Sequence, residues 1–187
     1  MMIKLNETRI PGCFELRPKV FHDERGTFVK TFHFDVFKEM GLSTKWAEEY
    51  YSISRKGVLR GLHFQLPPHD HEKLVYCVAG KVVDVVVDLR CGSPAYGQCV
   101  IFELGSEAAN MVYIPRGLAH GFYTMSDTAT MMYKVSTAYA PEYDAGIHWD
   151  SLDIAWPNNN PILSKRDSEF LPFTSFSSPF FYNNKSR

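Results

Sequence analysis

Several things are missing from this chain of 187 residues, and each absence narrows what it can be. There is no run of Lys or Arg. Twenty basic against 21 acidic residues leave a formal charge of −1 and a pI near 6.6. Charge therefore offers no footprint for nucleic acid. No apolar stretch approaches the roughly 20 residues of a membrane span. The opening Met-Met-Ile-Lys-Leu-Asn-Glu-Thr lacks the apolar run of a signal peptide. The expectation is a soluble, cytoplasmic protein with neither nucleic-acid nor membrane partners. Cysteine is scarce: Cys13, Cys77, Cys91 and Cys99 show no C-x-x-C spacing. A chain this long builds a core without staples, so reduced thiols are expected. No internal repeat is strong enough to use.

Aromatic residues, at 14%, are plentiful and suit a β protein with ring-lined pockets. Residues 9–21 alternate loosely around Pro11 and Pro18 and read as short edge strands. His22 to Phe28 reads as a turn leading into a strand. Phe34 to Met40 has helical spacing and stops at Gly41. Strands are then expected over 46–54, 57–64, 73–79, 81–89, 98–104, 110–114, 119–125 and 129–136, with Ala79-Gly80 as a hairpin signal. Val82 to Asp88 reads as a strand buried on both faces and interrupted by two acids. Many short strands with regular turn signals favour an all-β sandwich or barrel. After Tyr139 the chain turns loop-rich, with Pro141, Pro157, Pro161 and Asn158-Asn159-Asn160. A single domain over 1–187 is expected, with a core over about 8–168. The Phe-rich tail over 169–187 either wraps the domain, wraps a partner subunit or is poorly ordered.

The chain is organised around Gly57-Val58-Leu59-Arg60-Gly61-Leu62-His63-Phe64-Gln65. On a regular strand Arg60 and His63 face opposite ways, and both cannot sit unpartnered in an apolar core. Pro115-Arg116-Gly117-Leu118-Ala119-His120-Gly121 repeats the grammar of turn residues leading into a His. Gly61 to Gly80 has the outline of a cupin metal motif. Lys73, however, occupies the place of its Glu, and a protonated ammonium repels a cation. His69 and His71 are out of register with that spacing and read as solvated loop histidines, so no metal is expected. What remains is His63, Lys73, His120, Tyr133 and Arg60. A neutral His is a general base, a Tyr donates a proton, and a Lys or Arg stabilises an enolate oxygen. That set suits racemase, epimerase or isomerase chemistry beside a carbonyl.

These blocks, with Lys73-Leu74-Val75, Asp84 to Arg90, Ser93-Pro94, Ile114 to Phe122, Tyr133-Lys134, Tyr139 to Glu142 and Ile162 to Asp167, resemble the dTDP-4-dehydrorhamnose 3,5-epimerase family. The resemblance runs from about residue 8 to 168. It implies a homodimeric cupin or jelly-roll β-barrel with a short N-terminal helix and no cofactor. Such an enzyme inverts C3 and C5 of a nucleotide-linked 4-keto-6-deoxyhexose. By that resemblance His63 is the base, Asp167 its partner, Lys73 the group beside O4 and Tyr133 the opposing acid. Arg60 and His120 bind sugar or diphosphate, Arg25 reaches the diphosphate across the dimer, and Tyr139 stacks on the base. Lys30, Glu48, Tyr50 and Asp144 fall at substrate-binding positions.

Some positions depart from the family pattern. Lys30 stands where the family usually has Glu, and Glu48-Glu49-Tyr50 where it reads Gln-x-Asn. Carboxylates only accept hydrogen bonds, which suits guanine's paired N–H donors, or cytosine's amino group, better than thymine. A GDP- or CDP-linked sugar is therefore an alternative. If Glu48 and Glu49 instead pair with Lys30 or Lys45, dTDP is preserved. Epimerisation at C3 alone, 3,4-ketoisomerisation and a non-catalytic cupin sugar-binding module are the other readings.

Overall fold

A computed structural model describes residues 2–183, built almost wholly from short strands. In chain order these are β1 (Ile3–Glu7), β2 (Phe14–Pro18), β3 (Val20–Asp23), β4 (Gly26–Val29), helix α1 (Phe34–Glu39), β5 (Glu48–Arg55), β6 (Leu59–Gln65), β7 (Lys73–Ala79), β8 (Lys81–Asp88), β9 (Cys99–Gly105), β10 (Met111–Ile114), β11 (Leu118–Thr124), β12 (Thr128–Val135), β13 (Asp144–Gly146) and helix α2 (Lys165–Ser168). A six-stranded sheet runs β1-β2-β10-β7-β12-β5 and a five-stranded sheet β13-β6-β11-β8-β9, while β3 and β4 form a separate hairpin. The fold is a cupin-type jelly roll. The eight strands expected between residues 46 and 136 all occur, with ends that differ by no more than two residues.

Three apolar layers explain why so many of these strands are buried on both faces. Between the sheets, Val75, Val112 and Met131 meet Val82, Val86 and Phe122. Alternate residues of β8, Val83, Val85 and Val87, face outward and are covered by Ile147, Trp149, Phe176 and Phe180. On the far side, Leu74, Tyr76 and Tyr113 are covered by Phe37 of α1 and by Leu42. This helix ends in a Schellman turn. Gly41, at φ +72°, gives its N–H to Lys38 O at 3.1 Å, and Leu42 gives its N–H to Phe37 O at 2.9 Å. The two acids of β8 differ in how far they are satisfied. Asp88 accepts from Arg90 Nη2 at 2.7 Å and Ser93 Oγ at 2.6 Å, so the Asp-Leu-Arg…Ser-Pro block closes a buried corner. Asp84 is buried behind His120, to which its Oδ2 is paired, and its Oδ1 has no hydrogen-bond partner among the described residues.

Two expectations need correction, and one open alternative is decided. Ala79-Gly80 is not a hairpin, because β7 and β8 belong to different sheets and Gly80, at φ +80°, turns the chain from one to the other. β1, outside the strands read from sequence, adds an edge to β2 through Ile3↔Pro18 and Leu5↔Leu16. The tail wraps its own domain. Phe176 and Phe180 pack on Phe64 at 5.1 and 5.7 Å, and Phe180 O accepts from Cys91 N at 2.9 Å. The end of the tail, 184–187, lies outside the described residues. All four cysteines are free thiols, Cys13 and Cys77 buried.

Candidate active site

The site begins with a break in the period of two. Along β6 and β11, His63 faces His120 and Arg60 faces Phe122, so three steps on β6 oppose two on β11. The extra residue is a bulge at Gly61-Leu62, and it flips the parity. Arg60 and His63, expected on opposite faces, therefore line one cavity. Only glycines allow the strands to come this close. A Cβ on Gly61 (φ +127°) would lie 2.6 Å from Gly121 Cα, and one on Gly121 would lie 2.7 Å from Arg60 O. Gly61→Ala should cost about 1–3 kcal/mol from overpacking, read as a lower denaturation midpoint, and should also disturb Arg60 and His63. An unchanged midpoint would contradict this account of the bulge.

The cavity, about 550 Å³, takes its walls from both sheets. On the five-stranded side, His63 Nε2 lies 2.8 Å from Asp167 Oδ1. Asp167 is carried by α2, whose N-cap Ser164 accepts from Asp167 N at 3.0 Å, and its second oxygen accepts from Gly61 N at 3.1 Å. Burial opposes ionisation of Asp167, but His63, Gly61 and Ser164 outweigh it and hold the carboxyl down at about 2. Burial also lowers the His63 pKa; Asp167 opposes the shift, while Arg166 and Lys73 add to it. His63 is thus neutral near pH 7. Beside it, His120 Nε2 pairs with Asp84 Oδ2 at 2.7 Å.

The six-stranded sheet supplies the opposite wall. Tyr133 lies opposite Tyr50 on β5, the rings stacked at 4.9 Å and 17°, and its hydroxyl is 3.2 Å from Ser52 Oγ. Burial raises the Tyr133 pKa, and pushes Tyr50 up to about 12, so both phenols keep their protons. Lys73 Nζ donates to His63 O at 3.3 Å, and burial brings the ammonium down to about 8.

At one end of the cavity Tyr139 donates its hydroxyl to Asp144 Oδ2 at 3.2 Å and its N–H to Glu48 Oε1 at 3.0 Å. Glu49 pairs with Lys134, so neither acid turns to Lys30 or Lys45. Arg25 and Lys30 are not brought to this cavity. Arg25, at the tip of the β3–β4 hairpin, is bound to Asp23 at 2.5 Å and almost fully exposed.

His69 and His71 are not freely solvated. His69 packs on Tyr143 at 4.4 Å, and His71 lines the cavity. The Gln65 amide is fixed by Ala140 N donating to its oxygen at 2.7 Å and by its own donation to His69 O at 2.8 Å. His71 Nδ1, 3.1 Å from that amide nitrogen, must therefore accept. Burial, reinforced by Lys73, Arg116 and His120, takes His71 down to about 3. Arg166 also lines the cavity and is ion-paired to Asp144. Sequence reasoning missed both His71 and Arg166; the closeness of Arg166 to Asp167 in the chain was the available signal. Among the described residues, no three His, Cys, Asp or Glu side chains converge as a metal site requires.

An imidazole–carboxylate pair facing a phenol across one cavity, with an ammonium beside them, is equipment for moving protons next to a carbonyl. The class is an isomerase working by acid–base chemistry inside a jelly roll. The family model described as dTDP-4-dehydrorhamnose 3,5-epimerase matches residues 7–175. An enzyme of that name from Shigella flexneri is 44% identical over 164 residues, covering 86% of this chain and 91% of its own. A dTDP-4-dehydrorhamnose 3-epimerase from Streptomyces niveus is 40% identical over 172 residues, covering 90% of this chain and 83% of its own. The crystal structure of dTDP-6-deoxy-D-glucose-3,5-epimerase from Legionella pneumophila, in complex with dTDP-4-keto-L-rhamnose, superposes with a TM-score of 0.92 at 36% identity. It covers 97% of this chain and 100% of its own. The chain belongs to the dTDP-4-dehydrorhamnose 3,5-epimerase family.

Proposed function

We propose that the protein inverts C3 and C5 of a dTDP-linked 4-keto-6-deoxyhexose, in the route to dTDP-rhamnose, without a cofactor. The observation that carries this is the placement of His63 and Tyr133 on opposite walls of one cavity, each from a different sheet. Hydrogens on C3 and C5 are both α to the C4 ketone. His63 takes one of them, and the electron pair moves onto O4 as an enolate. Asp167 holds the imidazole and stabilises the imidazolium that forms. Lys73 lies beside O4, where charge develops, so its interaction strengthens in the transition state. Tyr133 returns a proton from the opposite face, which inverts the carbon. Solvent restores both groups before the second centre reacts.

Arg60 and His120 hold the sugar and diphosphate, Tyr139 stacks on the nucleotide base, and Glu48, Tyr50 and Asp144 surround it. Arg25 and Lys30 lie on or just after an exposed hairpin. We propose that they act in the cavity of a second copy, which makes the enzyme a homodimer. The four free thiols suit a reducing cytoplasm. One domain carries the site, with its tail sealed along the outer sheet.

The test is solvent deuterium incorporation in D₂O, followed by NMR, with dTDP-, GDP- and CDP-linked 4-keto-6-deoxy sugars run side by side. Label at both C3 and C5 of the dTDP sugar, at least tenfold faster than with the others, is expected. Label at C3 alone would make this a single-centre enzyme like the Streptomyces niveus relative. Tight binding with no label would point to a sugar-binding module instead.

A further inference from the structure

The imidazole of His63 has one contact too many. Its Nε2 lies 2.8 Å from Asp167 Oδ1 and 2.9 Å from Arg166 Nη2. A neutral imidazole nitrogen carries either a proton or a lone pair. An ionised carboxylate can only accept, and a guanidinium can only donate. Whichever tautomer is present, one of these two contacts is unfavourable.

The two tautomers are not equivalent for catalysis. With the proton on Nε2, directed at Asp167, the lone pair of Nδ1 is available as a base. Nδ1 makes no hydrogen bond among the described residues, so it is the nitrogen left for substrate. If Nε2 accepts from Arg166, the proton moves to Nδ1 and the base is blocked.

Arg166 is well placed to change between these arrangements. It is half-exposed; its Nη1 is ion-paired to Asp144 Oδ2, the oxygen that also takes the Tyr139 hydroxyl, and its Nε lies 3.4 Å from Asp167 Oδ1. Phe170 supports both partners, 5.7 Å from the His63 ring and 5.6 Å from Arg166 Cζ. The other groups facing His63 are Lys73, which donates to its carbonyl, and His120, opposite it on β11. Arg166 is the only one of these in direct contact with Nε2 besides Asp167.

We propose that Arg166 is a positioning residue that competes with Asp167 for His63 Nε2 in the empty site, and that the substrate's diphosphate draws it away, freeing Nδ1 as the base. This deepens the epimerase reading and rests on it. A dianionic ligand group outbids the shared carboxylate of Asp144 for the guanidinium, because charge and bidentate geometry both favour it. Removing that cation from the imidazole also makes His63 easier to protonate, as proton abstraction requires. The base is thereby activated only when substrate is bound.

The experiment is ¹⁵N NMR of the imidazole of His63 in the whole protein, which distinguishes the Nδ1–H from the Nε2–H tautomer. The wild type and Arg166→Gln are compared without ligand and with saturating dTDP. The wild type alone should show a substantial Nδ1–H population that dTDP converts to Nε2–H, and Arg166→Gln should be Nε2–H from the start. As a second readout, the acid limb of kcat/KM, which reports the free enzyme, should move up by half a pH unit or more in Arg166→Gln. A wild type that is fully Nε2–H without ligand, or a limb that stays in place, overturns the proposal. Failure of dTDP to bind would count against the nucleotide reading, and the ligand-free comparison would still decide the role of Arg166.

Discussion

His63→Ala should lower kcat by about 10³-fold or more while leaving dTDP affinity within about twofold. General-base catalysis contributes about 10²–10⁴. Here the titratable groups closest to it are poorly placed to substitute. His120 is bound at 2.7 Å to the buried Asp84, and Lys73 keeps its proton over most of the neutral range. Affinity should survive, because the nucleotide contacts assigned to Tyr139, Glu48 and Asp144 lie elsewhere in the cavity. The pH dependence has a definite sign. Burial, with Arg166 and Lys73, depresses the His63 pKa below the usual 6.5 against the pull of Asp167. Wild-type kcat/KM should therefore hold as pH falls through 6.5 and decline only below the depressed value. Steady-state kinetics with calorimetric titration of dTDP checks both parts. Residual turnover within tenfold of wild type would remove His63 from the mechanism.

The parts of this molecule legible in its sequence are those governed by repetition. Alternation and turn residues place the strands from β5 to β12, because each buries one face or both against a continuous apolar layer. Family spacing then brings out His63, Lys73, His120, Tyr133 and Asp167. The less legible parts are those where one residue overrides a pattern. At Gly61-Leu62 a bulge reverses the parity of β6, and period-two reasoning sets Arg60 against His63 when in fact they share a cavity. At Gly80 a turn that reads as a hairpin carries the chain between sheets, since apolar runs flank it either way. Arg166 sits beside an expected residue on a short helix whose place is set by the Ser164 cap and by Asp167, more than 100 residues from His63 in sequence. A single exposed arginine has no local signature for that. His71 reads as a loop residue after two prolines. It becomes part of the wall only because Gln65, four strand positions beyond Gly61, anchors it from inside.

Tyr133→Phe separates exchange from inversion. The substitution removes only the hydroxyl, whose hydrogen bond is to Ser52 at 3.2 Å, and it keeps the ring stacked on Tyr50. A single neutral hydrogen bond is worth about 0.5–1.5 kcal/mol, so the fold should survive. His63 can still remove a proton and return deuterium to the same face, and hydrogen at C3 and C5 should therefore continue to wash out in D₂O. Delivery from the opposite face has lost its donor. Net inversion should fall by about 10²-fold or more, within the range for a positioned general acid. The two rates come from one NMR time course, in which deuterium content and stereochemistry are read separately. If inversion keeps pace with exchange, the proton on the far face comes from water or from Tyr50, whose phenol is also protonated and stacked at 4.9 Å. Tyr133→Phe combined with Tyr50→Phe would then distinguish these sources, since only water survives the loss of both hydroxyls.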